Sequence, residues 1–146
     1  MSDRQRILQL IPHAGSMCLL DEIGSWNETE IVCRTRTHLD PSNPLRRDGR
    51  LAAIHLAEYG AQAMAVHGGL SAERDGVRAA PGMLVAIRDL KLFADRLDDC
   101  TGPLSVKAMR LMADANGWLY AFEVECDGRV LGNGRVAVIA ATASGV

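Results

Sequence analysis

The stretch RLAAIHLAEYGAQAMAVHGG, residues 50–69, is built mostly from alanine, leucine, isoleucine, methionine and valine. Three of its side chains could move a proton or hold a polar ligand: His55, Glu58 and Gln62, at positions i, i+3 and i+7. A helix turns ~100° per residue, so this spacing predicts a single polar stripe on an otherwise apolar helix. A buried carboxylate without a partner is costly. Glu58 is therefore expected to be paired, protonated or turned toward a cavity, and in the last setting it could serve as a general acid or base. The plainer alternative is a glutamate held by an arginine or a backbone donor, with no chemistry.

A second candidate is His13, in IPHAGSMCLLDEI. It reads either as a turn imidazole satisfying a backbone carbonyl or as a general base placed just before the first strand. Arg46, Arg47 and Arg50, in PLRRDGR, read either as a solvated loop or as an anion-attracting patch beside the helix start. His67 is expected in the last turn of the helix, where the dipole favours it. His38 ends a strand before a loop and is expected to be exposed. The GxG of LGNGRV lies between strand signals and does not support nucleotide binding.

These residues need elements to position them. RQRILQLI (4–11) predicts a short helix, MCLLDEIGSW (17–26) a strand, and EIVCRTRTHL (30–39) a strand with Ile31, Cys33 and Thr35 on one face. DPSNPLRRDG is loop. The long helix should start near Asp48, which could cap it, and stop at the HGG glycines. MLVAIRDLKLFADRL (83–97) predicts a long strand bent near Arg88–Asp89. Three more strands should follow, separated by DDCTGP and by the tight-turn signals Asn116-Gly117 and Asp127-Gly128, giving a meander of four antiparallel strands. Two strands, one helix apolar nearly all round, then four strands predict an α+β fold. Its curved antiparallel sheet of about six strands would wrap one long central helix, with a second copy of the chain covering the rest.

The 146 residues suffice for one domain, 1–146, and the net charge of −2 argues against nucleic acid. No apolar run reaches the ~18 residues of a membrane span, and no signal-peptide pattern precedes the first strand, so a cytoplasmic protein is expected. The scattered cysteines Cys18, Cys33, Cys100 and Cys126 predict reduced, packed thiols, with no disulfide framework and no metal site.

The ordered set LIPHAGSMCLLDEI, HLAEYGAQAMAVHGG and LVAIRDLKLF…DCTGPL resembles the 3-hydroxyacyl-acyl-carrier-protein dehydratases of the hot-dog fold, over roughly residues 10–140. The likeness lies in the Pro-His opening before CLLDEI, in Glu58 and Gln62 of EYGAQ matching a Glu-x-x-x-Gln, and in Phe93 before a polar turn. PLRRDGRL with EYGAQAMAVHG is similar to a divergent branch linked with aryl polyene lipid synthesis. One feature departs: the better-known dehydratases carry a catalytic histidine in a Gly-His-Phe-Pro stretch before the helix. Fourteen residues before Glu58 this chain has Pro44.

The resemblance implies a dehydratase acting on a 3-hydroxyacyl thioester, with no cofactor beyond the phosphopantetheine of an acyl carrier protein or coenzyme A that carries the substrate. Glu58 would protonate the leaving hydroxyl and His13 would take the C2 proton, with His55 as the alternative base. Backbone N–H groups around Leu51, Ala52 and Ala53 would hold the thioester carbonyl. His55 and Gln62 would line the substrate site, and Arg46, Arg47 and Arg50 would meet the carrier phosphate. The partner would be a second copy or another hot-dog subunit. Two alternatives stay open: a thioester hydrolase in which Glu58 activates water, and a non-catalytic acyl-binding subunit.

Overall fold

The computed structural model describes residues 1–11, 17–77 and 82–140, with only the backbone of 82–85 and 140. Helix α1 (Asp3–Leu10) starts in a capping box, Ser2 Oγ accepting from Gln5 N and the Gln5 side chain accepting from Ser2 N. Six strands follow around a long helix: β1 (Glu22–Trp26), β2 (Glu30–Thr35), α2 (Leu56–Arg74), β3 (Gly82–Leu92), β4 (Leu104–Asp114), β5 (Gly117–Cys126) and β6 (Arg129–Ala140). The strands form one antiparallel sheet in the order β1-β2-β4-β5-β6-β3. Helix α2 packs on β2, β4, β5 and β6.

The period-two patterns are met where the sheet buries one face. Ile31, Cys33 and Thr35 of β2 are buried while Arg34 is exposed, and Tyr120, Phe122, Val124 and Cys126 of β5 alternate in the same way. The turn between β4 and β5 forms one residue earlier than Asn116-Gly117, at Ala115-Asn116, with Gly117 already in β5; the later turn forms where expected. Asp127 and Gly128 both take left-handed backbone, with φ of 52° and 78°, as a tight type I′ turn requires. The bend in β3 is a bulge between Arg88 and Lys91, with Asp89 at φ 52°.

Several expectations are corrected. The four later strands are not a simple meander. β4, β5 and β6 are, but β3 lies beyond β6 and β4 pairs with β2. The strand expected over 17–26 shortens to β1 because side chains take over the backbone of 18–20: Leu19 N donates to Gln62 Oε1, and Leu19 O accepts from the Thr35 and Thr37 hydroxyls. Helix α2 does not stop at the HGG glycines. Gly69 sits inside it because α1 comes close there, so that a Cβ would press on the Leu10 side chain. His67 is therefore mid-helix and fully buried, between Tyr120 Oη (2.6 Å) and Asn27 O (2.8 Å), with no helix-end role. His38 is buried rather than exposed, its Nε2 donating to the Cys100 carbonyl at 3.0 Å. Cys100 and Cys126 are bonded as a disulfide, whereas Cys18 and Cys33 are free and buried as expected. Among the described residues no helix is long and apolar enough to cross a membrane.

The start of α2 also differs. Asp48 is not its cap: with Gly49 it forms a left-handed turn, φ 52° and 73°, closed by Arg47 N to Arg50 O and Arg50 N to Arg47 O. Residues 51–53 run extended against 95–98 and lead into a 3₁₀ turn, Ala53–His55. The contact that fixes this run is Asp98. Its Oδ1 accepts from Leu51 N (3.0 Å) and Arg96 Nε (2.9 Å), and its Oδ2 from Arg96 Nη2 (2.6 Å) and Arg46 Nη1 (3.3 Å). The Arg96 fork above all holds the Asp98 carboxyl well below the usual carboxylate range.

Because the folded-state carboxyl is depressed, its stabilisation is complete above the unfolded value of about 4 and fades as pH falls below it. Asp98→Asn should cost about 3 kcal/mol near neutrality. In urea titrations the gap between the two proteins should narrow below about pH 4. Helix α2 lies close to the sheet at Gly60, where a Cβ would overlap the Phe122 ring. Gly60→Ala gains ~1 kcal/mol of helix propensity, but overpacking costs ~1–3 kcal/mol, so the urea midpoint should fall.

Candidate active site

Glu58 lies in the first turn of α2 and is half-buried. A carboxylate is favoured there by the helix dipole. One turn further along, Gln62 is fully buried, and its amide is divided between two backbone groups: Oε1 accepts from Leu19 N at 2.8 Å and Nε2 donates to Met17 O at 2.7 Å. Gln62 was expected to line the substrate site; its structural role is to pin residues 17–19 against α2. Those residues follow directly on the segment that carries His13, which lies outside the described residues.

A chain of polar side chains that includes Tyr59, three residues before Gln62 on α2, supports the same region. Asn43 Nδ2 donates to Tyr59 Oη (3.2 Å), Tyr59 Oη lies 2.9 Å from Thr37 Oγ1, and Thr37 donates to Leu19 O (2.6 Å). Burial pushes the Tyr59 phenol up, so it keeps its proton and can donate along this chain. Leu19 is thus held through its N–H by Gln62 of α2 and through its C=O by Thr37, which Tyr59 of α2 in turn contacts. Asp98, Tyr59, Thr37 and Asn43 were not singled out from the sequence. Asp98 reads as part of a polar turn, and nothing local to RLDDC points 47 residues back to Leu51.

The candidate oxyanion donors are narrowed. Leu51 N–H is taken by Asp98 and Ala53 N–H by Asp95 O (2.9 Å), whereas the Ala52 N–H has no partner among the described residues. Ala52, Ala53 and Ile54 form one wall of a cavity of about 920 Å³ that Phe93, Arg96 and Leu131 help to line. Glu58 and Gln62 are not among the described residues lining it. His55, half-buried, sits in the 3₁₀ turn rather than on α2, so the regular i, i+3, i+7 stripe is broken at its first member. The arginines separate as well. Arg46 is engaged by Asp98, His38 O (2.9 Å) and Gly49 O (3.1 Å), which removes it from the anion patch. Arg47 and Arg50 are exposed side by side on the turn.

A family model described as ApeP-like, ApeP dehydratase, matches residues 5–144. Among solved structures, the dehydratase heterocomplex ApeI:P from Xenorhabdus doucetiae is similar with a TM-score of 0.83 and 22% identity, covering 94% of this chain and 92% of that one. Thioesterase superfamily member 2 of zebra fish gives 0.64 at 16% identity over 96% and 99% of the two chains. AziG of S. sahachiroi gives 0.59 at 19% identity over 90% and 97%. The comparison with curated proteins gives no match. The structural likenesses establish the fold as hot-dog. The family match runs over nearly the whole chain, and on it the protein belongs to the ApeP-like dehydratase family.

Proposed function

We propose that the protein removes water from a 3-hydroxyacyl thioester to give the trans-2-enoyl thioester, on a substrate carried by the phosphopantetheine of an acyl carrier protein or coenzyme A, in aryl polyene or fatty-acid-like synthesis. The observation that carries this reading is the placement of Glu58 on the first turn of α2, one turn before the amide that pins the backbone after His13. Dehydration needs one group to take the C2 proton and another to protonate the departing hydroxyl. Glu58 is assigned to the hydroxyl and His13 to the C2 proton, with His55 the alternative base. The Ala52 N–H, left without a partner among the described residues, is assigned to the thioester carbonyl, where it would stabilise negative charge developing in the transition state. Arg47 and Arg50 are the cations left available for the carrier phosphate.

A second hot-dog subunit belongs to this reading. β3 is an edge of the sheet, and Leu92, Phe93 and Ile54 near its end are exposed apolar side chains. The similar ApeI:P structure is a heterocomplex, which favours a partner of related fold as much as a second copy.

The test supplies a 3-hydroxyacyl thioester and follows enoyl product and free thiol separately. Enoyl formation without thiol release is expected. Thiol release alone would replace this reading by a hydrolase in which Glu58 activates water, and neither signal would leave an acyl-binding subunit. Glu58→Gln and His13→Ala should each lower kcat by about 10²–10⁴-fold with the fold intact by circular dichroism. Full activity in His13→Ala would move the base to His55.

A further inference from the structure

We propose that Cys100 and Cys126 form a reversible thiol–disulfide latch that holds the start of α2 in place through Asp98. The two cysteines, with Cα atoms 6.5 Å apart, join the connection between β3 and β4 to the end of β5. Cys126 is the register partner of Leu104, the first residue of β4, so the bond fastens the connection to the rim of the sheet. Cys100 N donates to Leu97 O, which places Asp98 inside the same tight turn. Asp98 in turn holds Leu51 N–H and Arg46, Arg46 donates to His38 O, and His38 Nε2 donates back to Cys100 O. The disulfide therefore fastens this ring of contacts, around residues 46–51 and 97–100, to the end of β5. Both cysteines also line the cavity walled by Ala52, Ala53 and Ile54.

The surroundings decide which sulfur is attacked and how fast. Cys100 is half-exposed, whereas Cys126 is 2% exposed, so an incoming thiolate meets the Cys100 sulfur. A dithiol reductant would attack Cys100 Sγ and form a mixed disulfide. Cys126 would leave as a thiolate and take up a proton. The second thiol of the reductant would then displace Cys100 and leave as the oxidised disulfide, two electrons having passed to the protein. The other cysteines cannot scramble this bond: Cys18 and Cys33 are buried, and burial pushes the Cys33 thiol up to about 12. The Asp127 carboxylate lies 3.3 Å from Cys100 Sγ and repels an approaching thiolate. The latch stands independently of the dehydratase reading; only its effect on turnover rests on that reading.

The experiment uses the full chain and no substrate. Alkylation in denaturant without reductant, followed by peptide mapping, should label Cys18 and Cys33 and recover a linked Cys100–Cys126 peptide. Four labelled cysteines would overturn the proposal. Dithiothreitol titration of the folded protein should then open the bond, and faster opening is expected in Asp127→Asn. In hydrogen exchange, the reduced protein should exchange the Leu51, Ala53 and Leu97 amides about tenfold faster, with the β5 and β6 amides unchanged. Cys100→Ser should reproduce the reduced pattern; if that variant does not fold, reduced wild type alone decides. A bond that resists reduction in the folded chain, or unchanged exchange at those amides, would sink the latch.

Discussion

A carboxylate that is 5% exposed must have its lone pairs occupied, and Asp98 meets that demand with two donors on each oxygen. Much of the layout near the site follows from this one group. Leu51 N–H must come to it, which fixes an extended run before the helix. Arg96 must fold back onto it, which tightens the turn after β3. Arg46 must point inward, which leaves the outward arginines Arg47 and Arg50 on the turn. Helix α2 begins only after these demands are satisfied, at a 3₁₀ turn without a side-chain cap.

Helix α2 has the complementary problem. It is apolar on nearly every side, so the few polar groups it buries must find partners across the structure. The buried polar residues Gln62, Tyr59 and His67 all find such partners. Gln62 meets one N–H and one C=O, and Tyr59 lies in a chain of hydroxyls. His67 sits between a phenol and a carbonyl. With Nε2 facing a carbonyl, that nitrogen carries the proton, and Nδ1 accepts from Tyr120. Burial lowers the proton affinity of His67 and pushes the Tyr120 phenol up to about 12, so both stay neutral and the pair is a fixed strut. These polar contacts tie α2 to specific strands and loops, where apolar packing alone would let it slide.

The fold was legible wherever the signal is periodic or carried by turn chemistry. The alternation of β2, the Asp127-Gly128 turn and the bend at Asp89 all came from local pattern, and the ordered motifs pointed to the family. Pairing was less legible: nothing in MLVAIRDLKLF says that it joins β6 rather than β4, because partner choice depends on which edges remain free. The end of α2 was misread because Gly69 looks like a stop, yet serves a close helix–helix approach with Leu10 that only the assembled fold creates. For the site, Glu58 was visible as an oddity on an apolar helix. The uses of Gln62 and Arg46 were not, since both are defined by backbone groups far along the chain, Met17 and Leu19 for one and His38 for the other. The disulfide escaped for a similar reason, its halves being 26 residues apart without a motif and meeting only through the β4–β5 register.

The two ends of the sheet are finished differently. At β1 the outward-facing Ile23 N–H is already taken by Asp3 Oδ2 at 2.9 Å, and Arg4 reaches the carbonyls of Cys18 and Leu20 just before the strand, so α1 occupies part of that border. At β3 the border is longer and no described element covers it. A sheet with one partly occupied and one open border is extended more readily on the open side. When two such sheets meet along their open borders, each is left with the border that α1 partly occupies. The short N-terminal helix thus biases any edge-to-edge assembly of this chain toward the β3 side.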